Sequence, residues 1–474
     1  MLYNKRKKIL RTEEAAGKMK KRKYWNTKKK KRAVRKKDRG IVDLMMVIHH
    51  FFAALSGWLD EMDDPRNQSY ILYTQSDLVW MGLLKNMCAV RTMRSMEDNF
   101  NTQTCIETLK LLSGDRRLDE MPHSDTLNYY LGKLSPRCLA DIRRRMIKSL
   151  IRGKSFYRAK LLGKYWRVIL DGTGLFYFKE KHCDSCLVTT VKNKEGKEEK
   201  RYYHKVLEAK IILGDSLVLS LDTEFIENED ESISKQDCEI NAAKRMLSRL
   251  KKEYPRLPMC IQGDALYAAE TVMGICRENG WEYILTQKDT RQALLSESYE
   301  WIAQGGGRTE IKNIGKELGT GAYINHVEGT AGKKETANIY EYWYEGKVKK
   351  GNSPVVRFRW ITSIEVTKRN LEEMIFAGRG RWKIENEGFN NQKNGIYGIE
   401  HLNSHDRTAM KNHYLLTQIA DIIMQLYLAW SPVVRETGQS IKNTSSRLLE
   451  SFRRQTVTDE DVLYIQRYTT VYLE

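Results

Sequence analysis

Between residues 164 and 289 the sequence alternates between two periodicities, and this alternation limits the folds open to the chain. The run KYWRVILDGTGLFYF (164–178) predicts a strand, and HKVLEAKIILGDSLVLSLDTEFI (204–226) predicts two strands joined by a turn. Two short strands follow, one in PMCIQGD (258–264) and one in WEYILTQKD (281–289). A segment with helical spacing comes before each of them. A hairpin followed by βα units predicts an α/β fold, with a mixed sheet and helices on both faces.

The flanking regions differ in pattern from this α/β part. Helical spacing with cap-like Ser-Asp pairs predicts a helical N-terminal domain, and Gly-rich, alternating stretches predict a β-rich insertion. We therefore expect a basic tail (1–40), a helical domain (41–160), an α/β domain in two parts (161–289 and 353–430), a β-rich insertion (290–352) and a C-terminal helical segment (431–474).

Most of the net charge of +20 lies in the N-terminal tail. Residues 1–40 contain nineteen Lys and Arg against three acids, with Lys28, Lys29, Lys30 and Lys31 in one run. Such a segment has little to bury, so we expect a disordered arm. Clustered Lys and Arg displace counterions from nucleic acid, which makes DNA the favoured partner. An anionic membrane surface or RNA would satisfy the same charge, and an arm without any partner is the plain alternative.

The sequence predicts a soluble, cytoplasmic protein without a membrane partner. The N-terminus is charged, so no secretory signal is predicted. The longest apolar stretch, Leu44 to Leu59, is short for a membrane span and contains two histidines, which favours a buried helix. Eight cysteines in 474 residues, without a dense framework, indicate a reducing compartment.

Three acidic residues stand at positions where carboxylates need a partner. Asp171 interrupts an apolar strand, Asp264 follows a later strand, and Glu385 lies on a helix further along the chain. A buried, unpaired carboxylate costs several kcal/mol or changes its pKa. A single Asp after a strand is more often a turn or helix-cap residue. The joint placement of all three predicts a site for two Mg²⁺ or Mn²⁺ ions, about 4 Å apart.

Three motifs around these acids resemble those of a known family. ILDGTG, IQGDALYA and GRGRWKIENEGFNNQKNG are similar to the three acidic motifs of DDE-type insertion-sequence transposases, over roughly residues 120 to 425. The third motif resembles the Tyr-Arg-Glu-Lys helix of one large subgroup. The resemblance implies an RNase H-like catalytic domain, interrupted by a β-rich insertion between the second Asp and the Glu. It also implies that Asp171, Asp264 and Glu385 are the catalytic, metal-binding triad.

The third motif departs from the subgroup at two positions. Gly378 stands where the motif has tyrosine, and Gln392 where it has lysine, with Lys393 one residue later. By the resemblance, Arg381 is the motif arginine that contacts DNA phosphate, four residues before Glu385. The candidate DNA contacts of this segment are therefore Arg379, Arg381, Trp382 and Lys393.

Glu387 is a rival to Glu385 as the third acid. Its offset of two residues turns it away from the helix face that Arg381 and Glu385 share. Glu385 is therefore preferred.

The family resemblance implies a transposase that binds the terminal inverted repeats of its element, cleaves the 3′ ends and transfers them to target DNA. Double-stranded DNA, at both transposon ends and target, would be the partner, and a homodimer would hold the paired ends. One alternative is a structure-selective DNA nuclease of the same fold. Another is a DNA-binding protein that keeps the fold without catalysis.

A cysteine and histidine cluster follows the first strand. Cys183 and Cys186 form a C-x-x-C pair beside His182, and His204 follows a Lys-rich excursion. Cys183, Cys186 and His204 supply three ligands for a structural Zn²⁺, which needs four, with His182 or Cys238 as the fourth. Ordinary reduced thiols are the alternative, and the sequence leaves this choice open.

Overall fold

The computed structural model describes residues 39–193, 195–214, 216–228, 236–288, 292–328, 336–346 and 354–467. The basic run Lys28–Lys31 lies outside these residues, so its predicted DNA contacts stay predictions. No helix in the described ranges is both long and apolar enough to cross a membrane.

The region before residue 160 is helical, as its spacing predicts. The N-cap of one helix is Thr74, which forms a reciprocal capping box with Asp77, whereas Ser76 of the cap-like Ser-Asp pair lies inside the helix. The apolar stretch from Leu44 is split into two helices, with a turn at Ala53 and Ala54. The helices are α1 (Ile41–Phe52), α2 (Leu55–Asp60), α3 (Gln75–Met87), α4 (Met93–Phe100), α5 (Gln103–Ser113), α6 (Ser124–Lys133) and α7 (Pro136–Arg152).

The described part of the chain forms one ten-stranded mixed sheet. Its strands are β1 (Trp166–Phe178), β2 (Leu187–Lys192), β3 (Glu198–Ile212), β4 (Val218–Ile226), β5 (Met259–Gly263), β6 (Glu282–Thr286), β7 (Thr309–Ile314), β8 (Gly319–Glu328), β9 (Thr336–Glu345) and β10 (Val355–Thr362). The helices among and after them are α8 (Glu239–Glu253), α9 (Glu270–Asn279), α10 (Ala293–Gln304), α11 (Leu371–Arg379), α12 (Arg407–Trp430), α13 (Pro432–Thr437), α14 (Ile441–Arg454) and α15 (Asp459–Arg467).

Five strands make the central unit, in the order β4-β3-β1-β5-β6. β3 is antiparallel to β1 and β4 is antiparallel to β3, whereas β5 is parallel to β1 and β6 to β5. This is the arrangement of an RNase H-like sheet, so the predicted fold class is confirmed. The two ends of the Lys-rich excursion (192–201) pair as a hairpin, because Lys192 ends β2 and Glu198 begins β3 opposite it.

The segment between the two parts of the α/β domain extends the same sheet. It begins with helix α10 and continues with β7, β8 and β9 in an antiparallel meander. β10 joins this meander to the central unit, because it pairs with β9 on one side and β6 on the other. The predicted division into domains stays a prediction.

The long helix α12 connects the sheet to the N-terminal helices. It packs against α1, α3, α6 and α7, and also against β4. Most of its residues are buried, so apolar residues of the helical region and of the sheet belong to one continuous cluster.

Candidate active site

Parallel pairing of β1 and β5 brings the first two acids together. Val168 pairs with Ile261 and Ile169 with Gln262. The same register, continued by two residues, places Asp171 level with Asp264 on neighbouring strands, which are about 4.8 Å apart in a sheet. Both acids lie just beyond the carboxyl end of the parallel ladder, where α/β sheets commonly bind ligands. The predicted adjacency of these two strands is confirmed.

The third acid reaches this edge from the segment after α11. A short 3₁₀ turn (Gly380–Trp382) follows α11, and residues Ile384–Gly395 then wind as a π-helix. π-helical turns are rare and often occur at functional sites. Nη1 of Arg381 lies 3.0 Å from Oε1 of Glu385 and 3.5 Å from Oδ2 of Asp171. One guanidinium nitrogen thus contacts two of the three predicted acids.

The electrostatics of Asp171 reflect this crowding. Its pKa is raised to about 6, chiefly because burial disfavours the charged carboxylate, and the carboxylates of Asp264 and Glu385 act in the same direction. The guanidinium of Arg381 and the amide N–H of Gly172, which donates to Oδ1 at 2.9 Å, oppose the shift. A cation placed between these acids would remove the cost of ionising Asp171.

Asp264 also stabilises the turn after β5, which is the usual role of a single Asp after a strand. Its Oδ1 accepts a hydrogen bond from the backbone N–H of Leu266 at 2.8 Å, which holds the turn after β5. This contact uses one carboxylate oxygen. It orients the side chain at the strand end beside Asp171.

A fourth acid at this edge is Glu239, the first residue of α8, which the sequence analysis did not identify. It forms an ion pair with Lys205 on β3, and the hydroxyl of Tyr267 donates to its Oε2 at 2.7 Å. A Cβ at Gly172 would lie 2.6 Å from the Glu239 carboxyl group, so a larger residue there would displace this side chain from Lys205 and Tyr267.

The donor set fits divalent cations. Carboxylate oxygens are the ligands that Mg²⁺ and Mn²⁺ prefer, and here they come from two strand ends and one helical segment. The three acids are more widely spaced than ligands of one ion. Within the described ranges, the group of three His, Cys, Asp or Glu residues whose ligand atoms all lie within 4.8 Å is His182, Cys183 and His204. Arg381 occupies the space between Asp171 and Glu385.

The two departures from the family motif have packing explanations. A Cβ at Gly378 would lie 2.5 Å from the indole of the buried Trp360, so no tyrosine fits there. Gln392 is fully buried and donates to Oε1 of Gln418 and Oδ2 of Asp421, both at 2.9 Å. Neither position faces a surface that DNA could reach.

The other predicted DNA contacts are partly exposed and already paired. Arg379 forms a two-pronged pair with Glu317, at 2.9 and 3.2 Å, and Lys393 pairs with Glu400 at 2.8 Å. Trp382 is 53% exposed, with the Arg381 guanidinium 5.4 Å from its ring centre. The predicted contacts of these residues with phosphate stay predictions.

Glu387 does not join the group around Arg381. Its Oε2 is buried without a hydrogen-bond partner among the described residues. The ion pairs of Arg381 link Glu385, and not Glu387, to Asp171, and Glu387 serves as a comparison residue on the same segment.

The cysteine and histidine cluster lies beyond the carboxyl end of β1, in the β1–β2 connection and on β3. Cys183, Cys186 and His204 are brought together, as the sequence analysis expected, and His182 lies beside them. Cys238 is exposed at the start of α8. A residue that the sequence analysis did not select, His405, contacts His182.

Comparison with known proteins finds similarity at the level of structure. No protein-family model matches this sequence, and no curated protein matches it. Among solved structures, the chain is similar to the piggyBac transposase in a cryo-EM structure of its synaptic complex with hairpin DNA. The two are 12% identical, the match covers 91% of this chain and 85% of that chain, and the TM-score is 0.40. A likeness of this degree carries no information on chemistry. The chemistry of the site is therefore argued from the residues described above.

Proposed function

We propose that this protein is a metal-dependent transposase of the DDE type, related to the insertion-sequence enzymes that its motifs resemble. It binds the terminal inverted repeats of its own element, hydrolyses the 3′ phosphodiester bonds at the ends, and joins the freed 3′ hydroxyls to target DNA. The observation that carries this proposal is the convergence of Asp171, Asp264 and Glu385 at one edge of an RNase H-like sheet.

Asp171, Asp264 and Glu385 would hold two Mg²⁺ or Mn²⁺ ions. Such a pair, when bound, activates a water or 3′ hydroxyl and stabilises the leaving oxygen of an in-line displacement at phosphorus. The turn at Asp264 and the amide of Gly172 orient two of the carboxylates before any cation arrives. Burial keeps bulk water away from Asp171 and strengthens its attraction for cations.

Arg381 has a second part in the proposal. Without a cation it neutralises Asp171 and Glu385, and a bound cation would release its guanidinium for a DNA phosphate beside the acids. Arg379, Trp382 and Lys393 flank this position, and the basic tail would add sequence-independent affinity for the duplex. Pairing of two DNA ends requires a homodimer.

The test is cleavage of a labelled duplex that carries the terminal repeats flanking the gene, with Mg²⁺ and with EDTA. We expect nicking at the repeat ends that depends on the metal. Asp171→Asn, Asp264→Asn and Glu385→Gln should each abolish nicking while DNA binding is kept. Glu387→Gln is the matched control and should retain activity, because Glu387 does not contact Arg381.

The products separate the alternative functions. Joined products with target DNA identify a transposase, whereas nicking without joining identifies a nuclease of the same fold. Duplex binding without cleavage under Mg²⁺ or Mn²⁺ would leave a DNA-binding protein and contradict the proposal. Full cleavage by the three acid variants would contradict the assigned site.

A further inference from the structure

Three potential metal ligands meet between the β1–β2 connection and β3. The Sγ atoms of Cys183 and Cys186 lie 3.6 Å apart, and Nε2 of His204 lies 3.5 Å from the first and 3.4 Å from the second. The two sulfurs are much further apart than the roughly 2.05 Å of a disulfide, so both cysteines are free.

These separations match a tetrahedral zinc site. Zn–S bonds of about 2.3 Å and Zn–N bonds of about 2.0–2.1 Å, at tetrahedral angles, place two sulfurs about 3.8 Å apart. The same bonds place a sulfur and a nitrogen about 3.5 Å apart. The three observed distances lie within about 0.2 Å of these values. Three ligand atoms already spaced in this way surround a point at which one ion has bonds of ordinary length.

His182 lies beside these ligands and has an unpaired ring nitrogen, but the ligand group within 4.8 Å includes Cys183 and His204 and not Cys186, so His182 would move closer on binding an ion. A ring nitrogen of His182 lies within 4.8 Å of the ligand atoms of both Cys183 and His204. Its Nε2 is hydrogen-bonded to Nδ1 of His405 at 3.1 Å, whereas its Nδ1 is buried without a hydrogen-bond partner among the described residues. A buried, unpaired ring nitrogen is costly, and a metal bond would satisfy it.

The other candidates for a fourth ligand are engaged elsewhere or exposed. Glu227 accepts hydrogen bonds from Arg407 and Lys411, at 2.8 and 2.5 Å. Asp184 pairs with Lys181 at 3.3 Å, and Cys238 is exposed at the start of α8. His182, with an unpaired ring nitrogen beside the cluster, is therefore the preferred candidate for the fourth ligand.

We propose that Cys183, Cys186, His204 and His182 hold one structural Zn²⁺ ion, with His405 as a positioning residue that accepts the second ring N–H of His182. Zinc-bound histidines almost always donate this N–H to a nearby acceptor, which fixes the ring orientation. Four protein ligands close the coordination sphere, so the site is structural and not catalytic.

The site would join three separate parts of the chain. Its ligands come from the β1–β2 connection and from β3, and His405 belongs to the loop just before α12. Asp406 caps α12 by accepting the N–H of Ala409 at 2.7 Å. Zinc would thus hold the β2–β3 hairpin, which carries Lys192, Lys200 and Arg201, against the start of the helix that organises the core.

The first measurement is the zinc content of the purified full chain by mass spectrometry, followed by exchange with Co²⁺. We expect about one zinc per chain and, with Co²⁺, the absorption of a tetrahedral site with thiolate ligands. Cys183→Ser and Cys186→Ser should lose the metal and weaken the sulfur-to-cobalt absorption. Cys238→Ser is the matched control and should keep both.

The histidine variants test the assignment of the fourth ligand. His405→Ala should keep zinc with an affinity about 10–100-fold lower, as expected for loss of a supporting hydrogen bond. His182→Ala should weaken binding more than His405→Ala does. The reverse order would overturn the assignment of His182.

The outcome is independent of the proposed catalysis. Asp171→Asn, at the other site, should retain zinc whether or not the protein cleaves DNA. A wild-type chain that neither contains zinc nor takes up Co²⁺ with thiolate absorption would overturn the proposal. Unchanged zinc content in folded Cys183→Ser would overturn it as well, and the cobalt spectrum of the wild type decides the question if that variant does not fold.

Discussion

At the scale of single residues, Gly378 shows how a packed neighbour excludes a side chain from a motif position. Trp360 is buried and stacks on Tyr340 and Phe358, with ring centres 5.0 and 5.8 Å away. Its indole lies where a side chain at Gly378 would begin. The missing motif tyrosine therefore follows from the core beneath α11, and Arg381, one turn later, is the motif residue that still contacts the acids.

Gly378→Ala should lower the free energy of unfolding by about 1–3 kcal/mol, because the new methyl group must displace a packed indole. Gly57→Ala is the control: nothing lies within 4 Å of its new methyl group. It should be neutral or stabilising by up to about 1 kcal/mol, since alanine is the better helix former. Urea unfolding followed by fluorescence measures both, and equal shifts of the two midpoints would contradict the packing explanation.

At the scale of elements, the π-helical segment is tied to α12 through buried polar contacts. Gln392 donates to Gln418 and Asp421, and Gln418 also accepts from the fully buried Lys210 at 3.2 Å. Burial raises the pKa of Asp421, while the ammonium of Lys210 and the hydrogen bond from Gln392 oppose the shift. Every polar group in this cluster depends on the others, which fixes the segment that carries Glu385.

Gln392→Leu should destabilise the protein by about 1–3 kcal/mol, because it removes one donor from the buried carboxylate of Asp421 and leaves the buried amide N–H of Gln418 without the acceptor that Gln392 supplies. Amide hydrogen exchange in residues 384–395 should accelerate more than elsewhere. Asn394→Leu changes an exposed residue of the same segment and should alter stability by less than about 0.5 kcal/mol. Unchanged exchange in the Gln392 variant would show that this contact does not hold the segment.

At the scale of the whole molecule, a buried arginine joins the helical region to the sheet. Arg143 on α7 pairs with Asp222 on β4 at 3.0 Å, and it also donates to Ser220 at 3.0 Å. Ser220 in turn donates to Glu208 on β3 at 2.7 Å. Since the apolar cluster is also shared, the N-terminal helices and the sheet should unfold together.

Arg143→Leu should lower the free energy of unfolding by about 3–5 kcal/mol, because it leaves the buried carboxylate of Asp222 with one cation fewer. Arg137→Leu, at an exposed position of the same helix, should have little effect. Calorimetry measures the stability of both variants and shows how many unfolding transitions the wild-type protein has. Two separate transitions in the wild type would contradict the shared core.

The sequence predicts much of the central unit but fewer of the contacts around its site. The strand pattern that surrounds Asp171 and Asp264 predicts a mixed sheet, and the order of strands and helices then makes their adjacency expected. The triad, the divalent cations, the homodimer and the insertion-sequence subgroup stay predictions. The pairing of the two ends of the Lys-rich excursion was not predicted, because charged residues also fill exposed hairpin strands, where cross-strand pairing decides the structure.

The sequence by itself determined the elements and the order in which they occur, because hydrophobic periodicity and helix caps act between residues a few positions apart. Tertiary structure alone decided the partners of each polar side chain. Arg381 against Asp171, Glu239 against Gly172, and His405 beside His182 are contacts across tens to hundreds of residues. Such contacts depend on how helices pack on the sheet, and no local pattern records that packing.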